Sequence, residues 1–187
     1  STSGTTGMPK CVTHHQDRWL YFHELAVEAG ELRPDDVFMS VIPAPFGFGL
    51  WTAHFTPALL GAPCVLMERF TPEGMIAAIE RRRVSVLAAV STQFIMLLNA
   101  LEEGRDLSSL RALFTGGEKV PYARAAEFEE RTGARVLQFY GSNETGVVSG
   151  TRASDPRERR LRTAGKVIAD MQVRLFDADG KDVTALG

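Results

Sequence analysis

The 187-residue sequence predicts an α/β protein, a mainly parallel sheet flanked by helices, of the size of one domain. Three observations carry that prediction. Short apolar runs of strand length alternate with longer stretches at helical spacing, and such βαβα alternation buries a parallel sheet between helices. Hydrophobic residues make up 44% and charged residues 24%, enough to build a core beneath an ordinary solvated exterior. Two glycine-bearing segments follow directly on strand candidates, and ligands of open α/β sheets gather beyond the carboxyl ends of strands.

Residues 15–30 carry Trp19, Phe22, Leu25, Ala26 and Ala29 at helical spacing, with Gly30 as a stop. Residues 10–13 lead into this helix from the opening loop. After Pro34-Asp35-Asp36, residues 37–42 read as a strand. Two prolines and two glycines make residues 43–49 a loop. A helix follows over 50–60, where Pro57 argues for a kink or a late start. Residues 62–67 read as a strand, and 72–83 as a helix with Pro72 in its first turn. Residues 84–90 read as a buried strand, 92–101 as a helix and 110–114 as a strand. A helix over 121–132 stops before Gly133, and 135–139 is again a strand. Residues 152–160 are polar and read as a mobile loop. Residues 171–176 alternate and read as a half-exposed strand before a tight Asp179-Gly180 turn. There is no internal repeat and no linker.

A net charge of −2 argues against nucleic-acid or anionic-membrane partners, which need a concentrated basic face. The cationic run Arg157, Arg159, Arg160 and Arg162 is broken by Glu158 and reads as a solvated loop. Cys11 and Cys64 fit no metal or CxxC spacing and read as reduced, partly buried thiols of a cytoplasmic protein. No apolar run is long enough to cross a bilayer.

The first ten residues, Ser-Thr-Ser-Gly-Thr-Thr-Gly-Met-Pro-Lys, concentrate chemistry suited to a polyanion. Gly4 and Gly7 let backbone N–H groups turn toward one point. Ser1, Thr2, Ser3, Thr5 and Thr6 add hydroxyl donors, and Lys10 adds positive charge. On composition alone a disordered terminus is an equal reading. The spacing differs from a Walker A loop. As it stands, the decapeptide resembles the signature loop of the AMP-forming, adenylate-forming enzymes, the family of acyl- and aryl-CoA synthetases, luciferases and peptide-synthetase adenylation domains.

Two further segments resemble that family. Thr115-Gly116-Gly117-Glu118 can be a plain turn, but the resemblance implies that Gly116, Gly117 and Glu118 lie beside adenine and the acyl pocket. Tyr140-Gly141-Ser142-Asn143-Glu144 resembles the family's Tyr-Gly-x-Thr-Glu motif. There the tyrosine stacks on adenine, the threonine contacts phosphate and the glutamate binds Mg²⁺. Asn143 stands in the threonine's place. A core ring for Tyr140 and a surface acid for Glu144 are the plain alternatives. Thr163-Ala164-Gly165-Lys166-Val167 resembles the family's glycine turn before its last core strands.

In the family, the region around residues 43–50 lines the acid-binding pocket. Phe46 stands where many members carry histidine, and Gly47 where amino-acid-activating relatives carry aspartate. Phe46, Gly47, Phe48 and Trp51 therefore suggest an apolar acid (aryl, alicyclic or fatty), although ordinary core aromatics would read the same. His14, His15 and His54 have no partner at a telling spacing, and none is assigned as a base; His23 and His54 can reach a pocket.

The reaction implied by the resemblance is ATP-dependent formation of acyl-AMP followed by thioester formation with coenzyme A. Lys10 and Glu144 are the catalytic candidates, and Glu144 the Mg²⁺ ligand. An aryl-acid adenylating enzyme loading a carrier protein, or a non-catalytic nucleotide-binding module, are the alternatives. The sequence opens inside its phosphate-type loop without an initiating Met, so it reads as part of the family's large N-terminal domain. The family's N-terminal portion, its ribose-binding aspartate, its following arginine and its C-terminal lid with the catalytic lysine then lie outside residues 1–187. The expectation is little ligase activity from this piece alone, and self-association through uncovered edges.

Overall fold

The computed structural model describes residues 7–186. Helix α1 (Asp17–Gly30) comes first, burying Phe22, Ala26 and Gly30, and Glu31 closes it in the left-handed region. Five mutually parallel strands follow: β1 (Phe38–Ser40), β2 (Cys64–Val65), β3 (Val86–Ala88), β4 (Ala112–Gly116) and β5 (Arg135–Ser142). β6 (Gly146–Gly150) and β7 (Lys166–Val167) join antiparallel. Among the described residues the sheet runs β2-β1-β3-β4-β5-β6-β7. The chain steps outward from β1 to β2, then returns past β1 to β3. The connections leaving β1 and β3 therefore depart to opposite faces and leave a crevice between them.

Between the strands lie α2 (Gly47–Leu50), a π-helical turn (Trp51–Phe55), α3 (Thr56–Leu60), α4 (Pro72–Arg82), α5 (Ser91–Ala100), α6 (Tyr122–Thr132) and α7 (Arg157–Arg162). Successive strand residues point to opposite faces. Leu87, Leu113 and Val136 join Ile79, Phe94, Leu98 and Phe128 of α4 to α6 in one core. Val86, Ala88, Ala112, Phe114 and Leu137 join Phe22, Ala26 and Trp51 in the other.

Several expectations change. The helix placed over 50–60 starts at Gly47 and carries Pro57 behind the π turn. Proline lacks an N–H and its ring would crowd the carbonyl four residues back, so a wider turn just ahead of it relieves both problems. The strand placed over 62–67 shrinks to two residues at the sheet edge. Residues 171–176 form no strand: alternation supplies one apolar face, but only the Phe176–Asp182 bridge pairs this segment. β5 continues beyond Phe139 to Ser142, because β6 folds back and pairs with it. Cys11 is exposed; Cys64 is half-buried, and burial pushes its thiol up to about 11.

The arginine run at 157–162 is a helix rather than a solvated loop. Arg160 has a side chain only 7% exposed and pairs with Glu129 of α6, which also takes Arg157. The Gln138 side chain then donates to the Arg160 carbonyl at 2.7 Å. One acid on a neighbouring helix thus draws one arginine of the run inward, while Arg157, Arg159 and Arg162 stay at the surface.

At the opposite end of the strands, Asp36 is buried and joins Arg111, the Ser85 hydroxyl at 2.7 Å and the Arg33 amide at 2.8 Å. Burial raises its pKa, but the Arg111 guanidinium, the Ser85 hydroxyl and the Arg33 amide outweigh burial and leave it below the ordinary value. A depressed carboxylate stabilises the fold fully above its unfolded pKa of about 4 and loses that contribution as pH falls through the folded value. Denaturant titrations should therefore show wild-type stability flat from pH 7 to 5 and falling below about pH 4, with Asp36→Asn less stable at neutral pH and flatter in acid. In the same assay Glu129→Ala should cost about 3 kcal/mol by stranding Arg160, whereas Glu158→Ala, at the exposed Arg162 pair, should leave stability close to wild type.

Candidate functional site

A cleft of about 850 Å³ opens beyond the carboxyl ends of β1, β3, β4 and β5. Gln93, in the first turn of α5, staples two of those ends. Its side-chain oxygen accepts the Val90 N–H at 3.1 Å, and its Nε2 donates to the Val41 carbonyl at 2.7 Å. β4 ends at Gly116, and Gly117 turns away with φ +84°, a region that favours glycine. Here the cleft wall is bare backbone, which admits a flat group at close range.

Opposite stands an aromatic wall. Phe46, Phe48 and Trp51 line the cleft where the chain leaves β1 and enters α2. The Phe48 ring meets Phe139 edge-on with centroids 4.5 Å apart, and Trp51 lies 6.0 Å from Phe139 and 6.1 Å from Phe114. Trp51 thus belongs to the core and to the cleft at once. Such a wall favours an apolar occupant.

The third side is the hairpin between β5 and β6. At Gly141 a Cβ would meet the Gly146 carbonyl oxygen at 1.9 Å, so the hairpin closes only over glycine. The register shifts between Tyr140 and Gly141, a bulge that re-aims the residues beyond it. Ser142 and Thr145 lock the turn, each hydroxyl accepting the other residue's N–H at 3.1 Å.

A cation then grips the turn from α1. Arg18 donates to the Glu144 carbonyl at 3.2 Å and to the Asn143 carbonyl at 3.5 Å, and His14 Nε2 meets the same Asn143 carbonyl at 2.6 Å. The guanidinium lies 5.1 Å from the centre of the Phe22 ring, and burial lowers its pKa. His14 and Arg18 went unassigned in the sequence; their signal was a histidine and an arginine four residues apart directly after a phosphate-type loop. His14 lines the cleft, whereas His23 and His54 do not.

Of the residues singled out in the sequence, the cleft brings together Phe46, Gly47, Phe48, Trp51, Gly116, Gly117, Gly141, Asn143 and Glu144. Tyr140 is 63% exposed and stands outside the lining. Glu118 also stands outside it and accepts the Thr92 N–H at 3.4 Å. Lys10 is exposed and likewise outside. Ser1, Thr2, Ser3, Gly4, Thr5 and Thr6 lie outside the described residues.

The Glu144 carboxyl is held below its ordinary range by its own backbone amide and by the Ser142 hydroxyl, with His14 nearby. It is therefore ionised at neutral pH. Among the described residues no cluster of three or more His, Cys, Asp or Glu could cage a metal ion. A single carboxylate fits Mg²⁺ better than most divalent ions, since Mg²⁺ keeps waters and phosphate oxygens and takes few protein ligands.

Comparison with known proteins agrees with this geometry. A family model described as AMP-binding enzyme matches residues 2–186. The chain is 34% identical over 179 residues to the medium-chain fatty-acid–CoA ligase of Escherichia coli (strain K12), covering 94% of this chain and 31% of that protein. It is 34% identical over 185 residues to the pyochelin synthase PchD of Pseudomonas aeruginosa (strain UCBPP-PA14), covering 97% and 34%. The crystal structure of the anthranilate CoA ligase AuaEII in complex with anthranoyl-AMP superposes with a TM-score of 0.87 at 28% identity, covering 97% of this chain and 36% of that one. The chain spans about a third of the length of these relatives.

Removing the α1 grip should loosen the turn without unfolding the sheet. In Arg18→Ala, amide hydrogen exchange at residues 142–146 should accelerate about tenfold or more while residues 86–88 keep wild-type protection, as read by mass spectrometry.

Proposed function

Because the chain belongs to the AMP-binding enzyme family, we propose that it forms the nucleotide- and acid-binding part of an AMP-forming carboxylate–CoA ligase acting on an apolar acid. The observation that carries this reading is one cleft lined both by the aromatic residues Phe46, Phe48 and Trp51 and by the Glu144 turn. In the first half-reaction a carboxylate oxygen of the acid attacks the α-phosphorus of ATP. The bond to the bridging oxygen breaks, pyrophosphate leaves and acyl-AMP forms. In the second, the thiolate of coenzyme A attacks the acyl carbon and AMP leaves.

The protein's task is to align two anions and neutralise them. Phe46, Phe48 and Trp51 hold the acid's apolar body, and Gly47 offers no carboxylate to pair with an α-ammonium group. Gly116 and Gly117 give the adenine side a flat backbone surface, with Glu118, Tyr140 and Gly141 at its margin. Lys10 and the hydroxyls and amides of residues 1–7 hold the phosphates. Glu144 holds Mg²⁺, which when bound neutralises phosphate charge. The names of the relatives support the substrate class, since a medium-chain fatty-acid–CoA ligase and an anthranilate CoA ligase are both matched. A second reading, an aryl-acid adenylating enzyme that loads a carrier protein, is favoured by equal identity to a pyochelin synthase.

In the intact protein, ATP–pyrophosphate exchange should depend on benzoate, octanoate or a related apolar acid and not on a free α-amino acid. EDTA should abolish it and Mg²⁺ restore it. Glu144→Gln should lower kcat/KM for Mg·ATP by about 10²- to 10³-fold with unchanged thermal stability. Exchange driven best by an α-amino acid would overturn the acid class, and full activity in Glu144→Gln would overturn the role of that carboxylate.

A further inference from the structure

The β5–β6 turn and the start of α2 lie 96 residues apart in sequence, yet one side chain joins them. Asn143 Oδ1 accepts the Gly47 N–H at 3.1 Å. Gly47 is the first residue of α2, where backbone N–H groups have no partner within the helix. The preceding residue, Phe46, has no side-chain oxygen to cap it, so the cap comes from the β5–β6 turn. A Cβ built at Gly47 would stand 3.1 Å from that same oxygen. The amide thus fills the corner that any side chain at position 47 would need.

The main chain of Asn143 is fixed independently. His14 and Arg18 hold its carbonyl, and Arg18 also holds the carbonyl of Glu144. The side chain of one residue therefore holds α2, while its main chain is held by Arg18 of α1 and by His14 just ahead of that helix. A shift of α2 that accommodates an acid must either stretch the Asn143–Gly47 bond or carry the turn, and Glu144, with it.

We propose that Asn143 is a positioning residue that couples the acid wall at Phe46 to Trp51 with the nucleotide side of the cleft, and that its pairing with Gly47 sets which acids fit. This inference rests on the ligase reading given above. An acid that leaves the bond intact keeps Glu144 aligned; one that pushes α2 outward displaces it. Coupling of this kind is reciprocal, so acid and nucleotide each raise the other's affinity by the same factor.

The test uses the intact protein with α,β-methylene ATP, Mg²⁺ and either benzoate or octanoate, read by calorimetry. In the wild type, saturating acid should raise the affinity for the nucleotide analogue. In Asn143→Ala that enhancement, the ratio of nucleotide affinities with and without acid, should fall about three- to tenfold, the loss of one hydrogen bond. Gly47→Ala alone should raise the acid KM in pyrophosphate exchange. Adding Asn143→Ala, which clears the corner, should bring that KM back to the value of Asn143→Ala alone. No enhancement in the wild type, equal weakening with and without acid, or simple additivity of the two substitutions would each overturn the coupling. A wild type that binds the analogue but exchanges no pyrophosphate would overturn the ligase reading instead, leaving the coupling to be judged from the calorimetric affinities.

Discussion

Parallel pairing of β1 to β5 is the constraint on which the rest of the molecule depends. Parallel strands deliver every carboxyl end to one edge of the sheet, and the loops that leave it must share that edge. Here they are the Phe46 to Trp51 segment after β1, the Val90 turn after β3, the Gly116-Gly117 backbone after β4 and the Asn143-Glu144 turn after β5. None of these is near another in sequence. The reversal of strand order at β1 sends α2 to one face and α5 to the other, and the gap between them is the cleft. Gln93 keeps the gap's floor rigid by holding one backbone group from each flanking strand end.

The charges follow the same economy. The described chain holds few buried ions, and each has a partner on a different element: Asp36 with Arg111, Arg160 with Glu129. Burying an unpaired charge costs several kcal/mol, so these pairs fix how their elements meet rather than adding much net stability. Arg18 differs, because its partners in the turn are carbonyl oxygens and not carboxylates. It therefore sets a positive charge beside the Glu144 carboxylate on one wall of the cleft.

The sheet and its helices were legible because period-2 and period-3.6 patterns are direct images of burial: residues 84–90 and 110–114 placed β3 and β4, and Gly133 marked the end of α6. The Glu144 and Gly116-Gly117 segments were legible through their place after strands and through family resemblance. What escaped depended on partners distant in sequence. β6 is glycine-rich with only Val147 and Val148 as apolar residues, so its pairing with β5 and β7 is what makes it a strand. Of the arginines at 157–162, Arg160 points inward because Glu129 lies 31 residues upstream of it. His14 and Arg18 carry no motif of their own, and their role exists only once the hairpin turn is beside them. Residues 171–176 show the converse: a good alternating pattern is mute without a neighbouring edge.

The π-helical turn at Trp51–Phe55 gives this wall an unusual freedom. Such a turn holds one residue more than the α-helix it interrupts. The extra residue is taken up within that one wider turn, so residues 47–50 keep nearly the facing a plain α-helix would give them. Deleting one residue there would tighten the segment to α-helical pitch with Phe48 still toward the cleft, at the cost of the slack that Pro57 requires. This wall therefore carries a built-in tolerance for a change of chain length.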